Sequence, residues 1–197
     1  MHQDEIAAVR KWMREHEDYD FDRSSITHVP LKSLAGRLFI SGMEGYARAI
    51  REAGKFDIVI SITPVPTQDP GSSSFQHIQH PIRDEKDSVE KMDTILPILS
   101  QAIFHALKNG SKVLVHCTEG MSRSATVVLY YLMDHHSFGI APEDKLLRAV
   151  QFLQKRRPCI NPNDGFLQLL SQKSKALGHR SLSKTQKPVS VDKWPPW

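Results

Sequence analysis

Cys117 and Arg123 lie in the stretch VLVHCTEGMSRSAT (113–126), separated by Thr118, Glu119, Gly120, Met121 and Ser122. The cysteine follows a β-branched apolar run and precedes a helical pattern, the junction at which a helix N-terminus can hold an anion. Five intervening residues can curl so that successive backbone N–H groups point inward as an anion nest. Gly120 allows the backbone conformation that such a tight cradle needs. Arg123 at the far rim can grip two oxygens of a phosphate through its planar fork. A thiol beneath these donors is favoured as thiolate, which makes it a nucleophile. His116, immediately before it, is placed to orient the loop and to help stabilise the thiolate by hydrogen bonding. A buried structural cysteine is the commonest fate of a free one. That reading explains neither the glycine, nor the arginine, nor the break from KVLV into a polar loop.

The elements that must position this loop alternate between strand and helix. RLFISG (37–42), FDIVISIT (56–63), FQHIQHPI (75–82) and SKVLVHC (111–117) read as strands, and TPVPTQDPGSSS (63–74) is turn chemistry throughout. GYARAIREAG (45–54) reads as a helix closed by Gly54. Met92, Ile95, Leu96, Leu99, Ala102, Ile103 and Leu107 recur at helical spacing over 89–108, where Pro97 should introduce a kink. SATVVLYYLMDHH (124–136) reads as an apolar helix, and EDKLLRAVQFLQKRR and GFLQLLSQKSKAL as two more. Strands alternating with helices and then helices alone predict a single α/β domain with a mostly parallel sheet flanked by helices.

The string HCTEGMSRS resembles the active-site signature of the protein tyrosine phosphatase superfamily, and Gly120, Ser122, Arg123 and Ser124 are similar to its dual-specificity branch. The likeness extends over about residues 30–177, through LFISG, VISIT, IRDEKDS and RPCINPNDGFLQLL. It implies the phosphatase fold, Cys117 as nucleophile, and phosphate binding by Thr118 to Arg123. A phosphate ester also needs a proton donor for its departing oxygen. The family carries an Asp on a loop upstream of the cysteine, which the resemblance places at Asp84, with Glu85 and Asp87 as near rivals. It places at Ser124 the hydroxyl that assists release of the thiolate, a position that would also suit a helix N-cap. No metal or other cofactor is implied. The chain resembles a small, atypical dual-specificity phosphatase acting on phosphotyrosine and phosphoserine or phosphothreonine in proteins. Glu119 and the lack of a base before Arg123 oppose multiply phosphorylated substrates. A phosphoinositide or nucleotide-end phosphatase and a non-catalytic phosphate-binding module stand as alternatives.

Composition bounds the rest. The chain has 197 residues, 40% of them hydrophobic, with a formal net charge of +4. Residues 1–26 hold seven acids against four bases, and 178–197 hold four bases against one acid, leaving a mildly basic body that suits phosphorylated partners. Residues 1–26 read as an extension in which Ile6, Val9 and Met13 stripe one face of a helix over 3–16, a packed accessory helix with a partner-docking helix as the alternative. Residues 27–177 read as the catalytic domain. The polar stretch 178–197 reads as a disordered basic tail, with Trp194 and Trp197 flanking a proline pair as a weak binding element. The start lacks a signal-peptide core, no run of eighteen apolar residues occurs, and there are two cysteines. These features predict a cytoplasmic or nuclear protein with no membrane or nucleic-acid partner, and a monomer is favoured. His77 and His80, three apart on one strand, make a poor chelate, and DHH (134–136) reads as the end of an exposed helix. Cys159 reads as a small buried residue, with a regulatory disulfide to Cys117 as the alternative.

Overall fold

A computed structural model describes residues 2–31, 34–51, 55–67, 75–136 and 144–180. Helix α1 (His2–Glu15) precedes strands β1 (Thr27–Val29) and β2 (Arg37–Ser41), helix α2 (Met43–Arg51), and strands β3 (Ile58–Thr63) and β4 (Gln76–Pro81). A 3-10 turn (Lys86–Ser88) leads into α3 (Val89–Lys108), followed by β5 (Lys112–His116), α4 (Arg123–His135), α5 (Lys145–Gln154) and α6 (Asp164–Arg180). The sheet order is β1-β2-β5-β3-β4, with β1 antiparallel to β2 and every other pairing parallel.

The apolar runs explain this arrangement. Val113, Leu114 and Val115 are all fully buried, because β5 is central and both faces of a parallel sheet are covered. Alternation divides them: Val113 and Val115 join the main core with Ile60 and Ile62, while Leu114 joins Val59, Tyr46, Ala49 and Phe56 beneath α2. Every residue of α4 from Arg123 to Met133 is buried, since the helix lies on the sheet and is wrapped by α3, α5 and α6. A helix apolar on all sides is what such a position requires.

The short β1 and the 3-10 turn are not anticipated by periodicity. Helix α1 packs on α5 and α6 and puts Val9 and Met13 into the main core. Pro97 lies inside α3, whose helical span runs unbroken from Val89 to Lys108. The end of α4 is not exposed as DHH suggests. Asp134 Oδ2 accepts from Ser100 Oγ at 2.9 Å and the His135 ring stacks on Phe104 at 4.4 Å, because α3 packs along α4 to its last turn. Gly54, most of the turn-rich 63–74 segment, and the tail beyond Arg180 with its two tryptophans lie outside the described residues. No helix among the described residues is long and apolar enough to cross a membrane.

Candidate active site

The site lies where the parallel strands end. In an open α/β sheet the carboxyl ends of the strands around a change in strand order form a crevice for ligands. Here β5 is flanked by β2 and β3, and Cys117 is the first residue beyond β5. The loop is fastened from both sides: Met43 N–H donates to Thr118 O at 2.8 Å, and Asn161 N–H donates to Met121 O at 2.9 Å. Gly120 has φ +70°, a conformation that costs an L side chain roughly 1–2 kcal/mol.

The Cys117 side chain is buried. Gly120 N–H donates to its Sγ at 3.2 Å, and Ser124 Oγ lies at the same distance. Arg123 opens α4 and is 5% exposed. Its Nη1 donates to Ile82 O at 3.1 Å and its Nη2 to Thr118 Oγ1 at 3.0 Å. Its Nε is buried, makes no hydrogen bond among the described residues, and lies 3.7 Å from Asp84 Oδ2. A buried guanidinium at the helix start that closes a thiol-bearing loop suits a bound oxyanion.

Asp84 sits on the loop after β4. Ser122 Oγ–H donates to Asp84 Oδ1 at 2.6 Å and Asn163 Nδ2–H donates to the same oxygen at 2.7 Å. Asn163 N–H donates in turn to Ser122 Oγ at 3.1 Å. Both donors hold one carboxyl oxygen, so Oδ2 is the oxygen that faces Arg123. Glu85 instead pairs with Arg83 at 3.8 Å on the surface, and Asp87 is exposed in the 3-10 turn. The structure brings Cys117, Arg123, Ser124 and Asp84 together, and leaves both rival acids outside.

Two expectations change. Ser124 is not the N-cap of α4: the cap is Ser122, whose hydroxyl is drawn to Asp84 rather than to its own helix. Thr118 and Glu119 are exposed, and the phosphate-binding role expected of residues 118–122 belongs to their backbone N–H groups rather than to these side chains. His116 makes no hydrogen bond to Sγ. Its ring stacks on Tyr46 at 4.2 Å, its Nδ1 lies 3.4 Å from Cys117 O, and its Nε2 lies 2.6 Å from Ser61 Oγ. Burial pushes its pKa down to about 4, against a smaller opposing effect of the bond to Cys117 O. A neutral His116 that donates from Nδ1 must accept at Nε2, so Ser61 O–H donates there and accepts from His77 Nε2–H at 2.6 Å. His116 thus props the carbonyl of Cys117 through a buried polar chain.

Two further residues carry the loop. Arg157 is fully buried. Its Nε donates to Gly120 O at 2.7 Å and its Nη2 to Glu119 O at 3.3 Å, while Nη1 and Nη2 reach Ser25 O and Arg23 O, both at 3.1 Å. Burial lowers its pKa, an effect opposed by the nearby thiols and Asp22. Asn163 joins Asp84 to Ser122, as described. Both residues stand within RPCINPNDGF, a stretch legible only as a resemblance. Cys159, in the same stretch, is buried and free like Cys117, and burial raises its pKa. Among the described residues no group of three or more His, Cys, Asp or Glu is arranged to hold a metal ion.

Comparison with known proteins decides the family, because the model for "Dual specificity phosphatase, catalytic domain" matches residues 38–176. The chain belongs to the dual specificity phosphatase family. Among curated relatives, mouse serine/threonine/tyrosine-interacting protein is 39% identical over 98 residues, 50% of this chain and 40% of the relative. The Drosophila melanogaster dual specificity protein phosphatase Mpk3 is 32% identical over 145 residues, 72% of this chain and 33% of the relative. The aligned part of this chain therefore spans less than half of either relative. A mouse putative dual specificity phosphatase complexed with zinc tungstate superimposes with TM-score 0.64 at 26% identity, covering 84% of this chain and 95% of that one. Human DUSP28 does so with TM-score 0.63 at 25% identity, covering 77% and 94%. These dual specificity phosphatase structures share the mostly parallel sheet flanked by helices.

Proposed function

We propose that this chain hydrolyses phosphotyrosine and phosphoserine or phosphothreonine in proteins through a phosphocysteine intermediate. The observation that carries the reading is the buried Cys117 Sγ between Gly120 N–H and Ser124 Oγ, with the buried Arg123 guanidinium at the other end of the same loop, against Asp84. The Cys117 thiolate attacks phosphorus, the P–O bond breaks, and its electron pair leaves with the substrate oxygen. A protonated Asp84 gives that oxygen its proton from Oδ2. Water then attacks the phosphocysteine and Asp84 carboxylate takes the water's proton. The P–S bond breaks, its electrons return to sulfur, and the Ser124 hydroxyl donates to the departing thiolate. Arg123 and the loop N–H groups hold the non-bridging oxygens throughout, fixed donors aimed at developing charge.

Protein substrates fit better than inositol polyphosphates or nucleotide ends, since exposed Glu119 is a negative charge at the mouth. Some relatives are named as interacting proteins, so a binding-only module is the rival. A complete set of reacting groups around Cys117 counts against it. Both cysteines are free, consistent with a reducing compartment, the cytoplasm or nucleus. The test is turnover of a phosphopeptide and phosphoinositide panel by the chain and its Cys117→Ser variant. The expected result is hydrolysis of phosphopeptides by the chain alone, with a 1:1 phosphoryl-cysteine adduct on rapid acid quench. Turnover undiminished in Cys117→Ser, or phosphopeptide binding without turnover by the chain, would overturn the proposal.

A further inference from the structure

Helix α1 reaches the site through one side chain. Arg10 Nη1 donates to Asn161 Oδ1 at 2.6 Å, and its Nη2 donates to Pro162 O at 3.0 Å and to Asp164 Oδ1 at 2.6 Å. All three acceptors lie in one four-residue turn, Asn161–Asp164. The fourth member, Asn163, holds Asp84 Oδ1 and the Ser122 hydroxyl. Asp84 therefore owes one of its two anchoring hydrogen bonds to a turn that Arg10 clasps. On the solvent side a surface depression of about 510 Å³ lies between Arg10 and Asp84, and from that direction, among the described residues, only the exposed Lys86 ammonium reaches the segment, 3.7 Å from Asp164 Oδ2.

We propose that Arg10 is a positioning residue for the general acid: by clasping the Asn161–Asp164 turn it sets where Asn163 holds Asp84. This rests on the Asp84 role proposed above. The chemistry requires a planar fork, because one side-chain amide, one carbonyl and one carboxylate are gripped at once, and an ammonium on a flexible stem does not match that geometry. The clasp is not what docks the helix. Val9 and Met13 are buried in the main core, Gln154 Nε2–H donates to Met13 O at 3.0 Å, and Ser171 Oγ–H donates to Glu5 Oε2 at 2.5 Å. The Arg10–Asp164 pair is 22% and 57% exposed, and ion pairs that wet add little to stability. The clasp also persists across an assay pH range: the Arg10 hydrogen bond and charge, then Lys86, hold Asp164 below the usual carboxylate range.

The test uses the full chain with Arg10→Ala, Arg10→Lys, Asp84→Asn and the double variant Arg10→Ala/Asp84→Asn. A phosphothreonine peptide needs its leaving oxygen protonated, whereas p-nitrophenyl phosphate scarcely does. Arg10→Ala is expected to lower kcat on the peptide by about tenfold, as modest misplacement of a reacting group does. It should change the nitrophenyl ester by less than about twofold and flatten the basic limb of the pH–rate profile. Thermal stability stays near that of the parent, Arg10→Lys recovers only part of the loss, and the double variant is no slower than Asp84→Asn. Equal slowing of both substrates, additivity with Asp84→Asn, or full activity of Arg10→Ala would each overturn the inference. A leaving-group effect in Asp84→Asn without one in Arg10→Ala defeats Arg10's role alone. No such effect in Asp84→Asn defeats the Asp84 assignment, and Arg10's role with it.

Discussion

Replacing Gly120 with alanine tests how the phosphate cradle is held. The left-handed φ of +70° costs an L side chain roughly 1–2 kcal/mol. The added Cβ would stand 2.5 Å from Ser41 C, 2.6 Å from Gly42 N and 2.4 Å from Arg157 Nη2. The first two are backbone atoms at the β2–α2 junction, so no rotamer change relieves them. Arg157 Nη2 is itself pinned by the carbonyls of Arg23 and Glu119. Retreat from 2.5 Å to an ordinary 3.4 Å contact moves the loop by 0.9 Å. Overpacking of this kind costs about 1–3 kcal/mol, and with the backbone cost the expected loss is about 2–5 kcal/mol. Displacing reacting atoms by about 1 Å costs about 10²-fold in rate, so kcat/KM on a phosphotyrosine peptide should fall by at least that factor. Urea unfolding followed by circular dichroism gives the first quantity, and kinetics under conditions where the variant is folded give the second. A variant within about 1 kcal/mol of the parent and within about tenfold of its activity would refute the claim that the loop is wedged against β2.

Asp84→Asn should slow a phosphothreonine peptide by about 10²-fold or more and a nitrophenyl ester far less. Asp87→Asn should change neither, and a leaving-group effect in Asp87→Asn instead would move the acid three residues on. Ser124→Ala should slow breakdown of the phosphocysteine more than its formation, so a pre-steady-state burst grows; an unchanged burst and turnover would leave the Sγ–Oγ contact without a role. Burial holds the His116 pKa down to about 4, against an ordinary 6.5, so it adds no pH dependence above about pH 6.5. As pH falls from there toward 4 the unfolded state takes up a proton that the native state refuses, and stability is lost, by about 3 kcal/mol at the lower end. His116→Asn should lower stability at neutral pH yet show a shallower loss between pH 6.5 and 4.5. Parallel slopes for the two proteins would sink that account.

The central elements were legible because burial writes itself into composition. Val113 to Val115 and the run from Ser124 to Met133 are apolar on every side because both are enclosed. The Cys117–Arg123 loop was legible because its parts are neighbours in sequence and its geometry is local. Arg10, Arg157 and Asn163 were not read for their roles, since each is a polar loop or helix residue with no periodic signature, and the partners that give it its role at the site lie 37 to 154 positions away. Ser124 was assigned to the thiol by the resemblance, whereas the engagement of Ser122 with the acid shows only once Asp84 and Asn163 are brought to it by the fold. The half-buried end of α4 was misjudged for a similar reason: histidines give no sign of the helix packed beside them.

The strand order has a consequence for how the molecule assembles. Before residue 112 is in place the chain holds two separate ribbons, β1 with β2 and β3 with β4, and the facing edges of β2 and β3 have no partner. Strand β5 fills that gap, pairing with residues up to 75 positions earlier in the chain, and it alone joins the ribbons. Pairings this distant are slow to close, and unpaired parallel edges invite intermolecular association while they wait. Cys117, the proposed nucleophile, directly follows the very strand that closes the sheet, so nascent or proteolytically shortened chains that stop before it have neither a continuous core nor that thiol. Refolding yield should therefore depend on protein concentration during the interval before β5 docks, and return of activity should coincide with completion of the sheet.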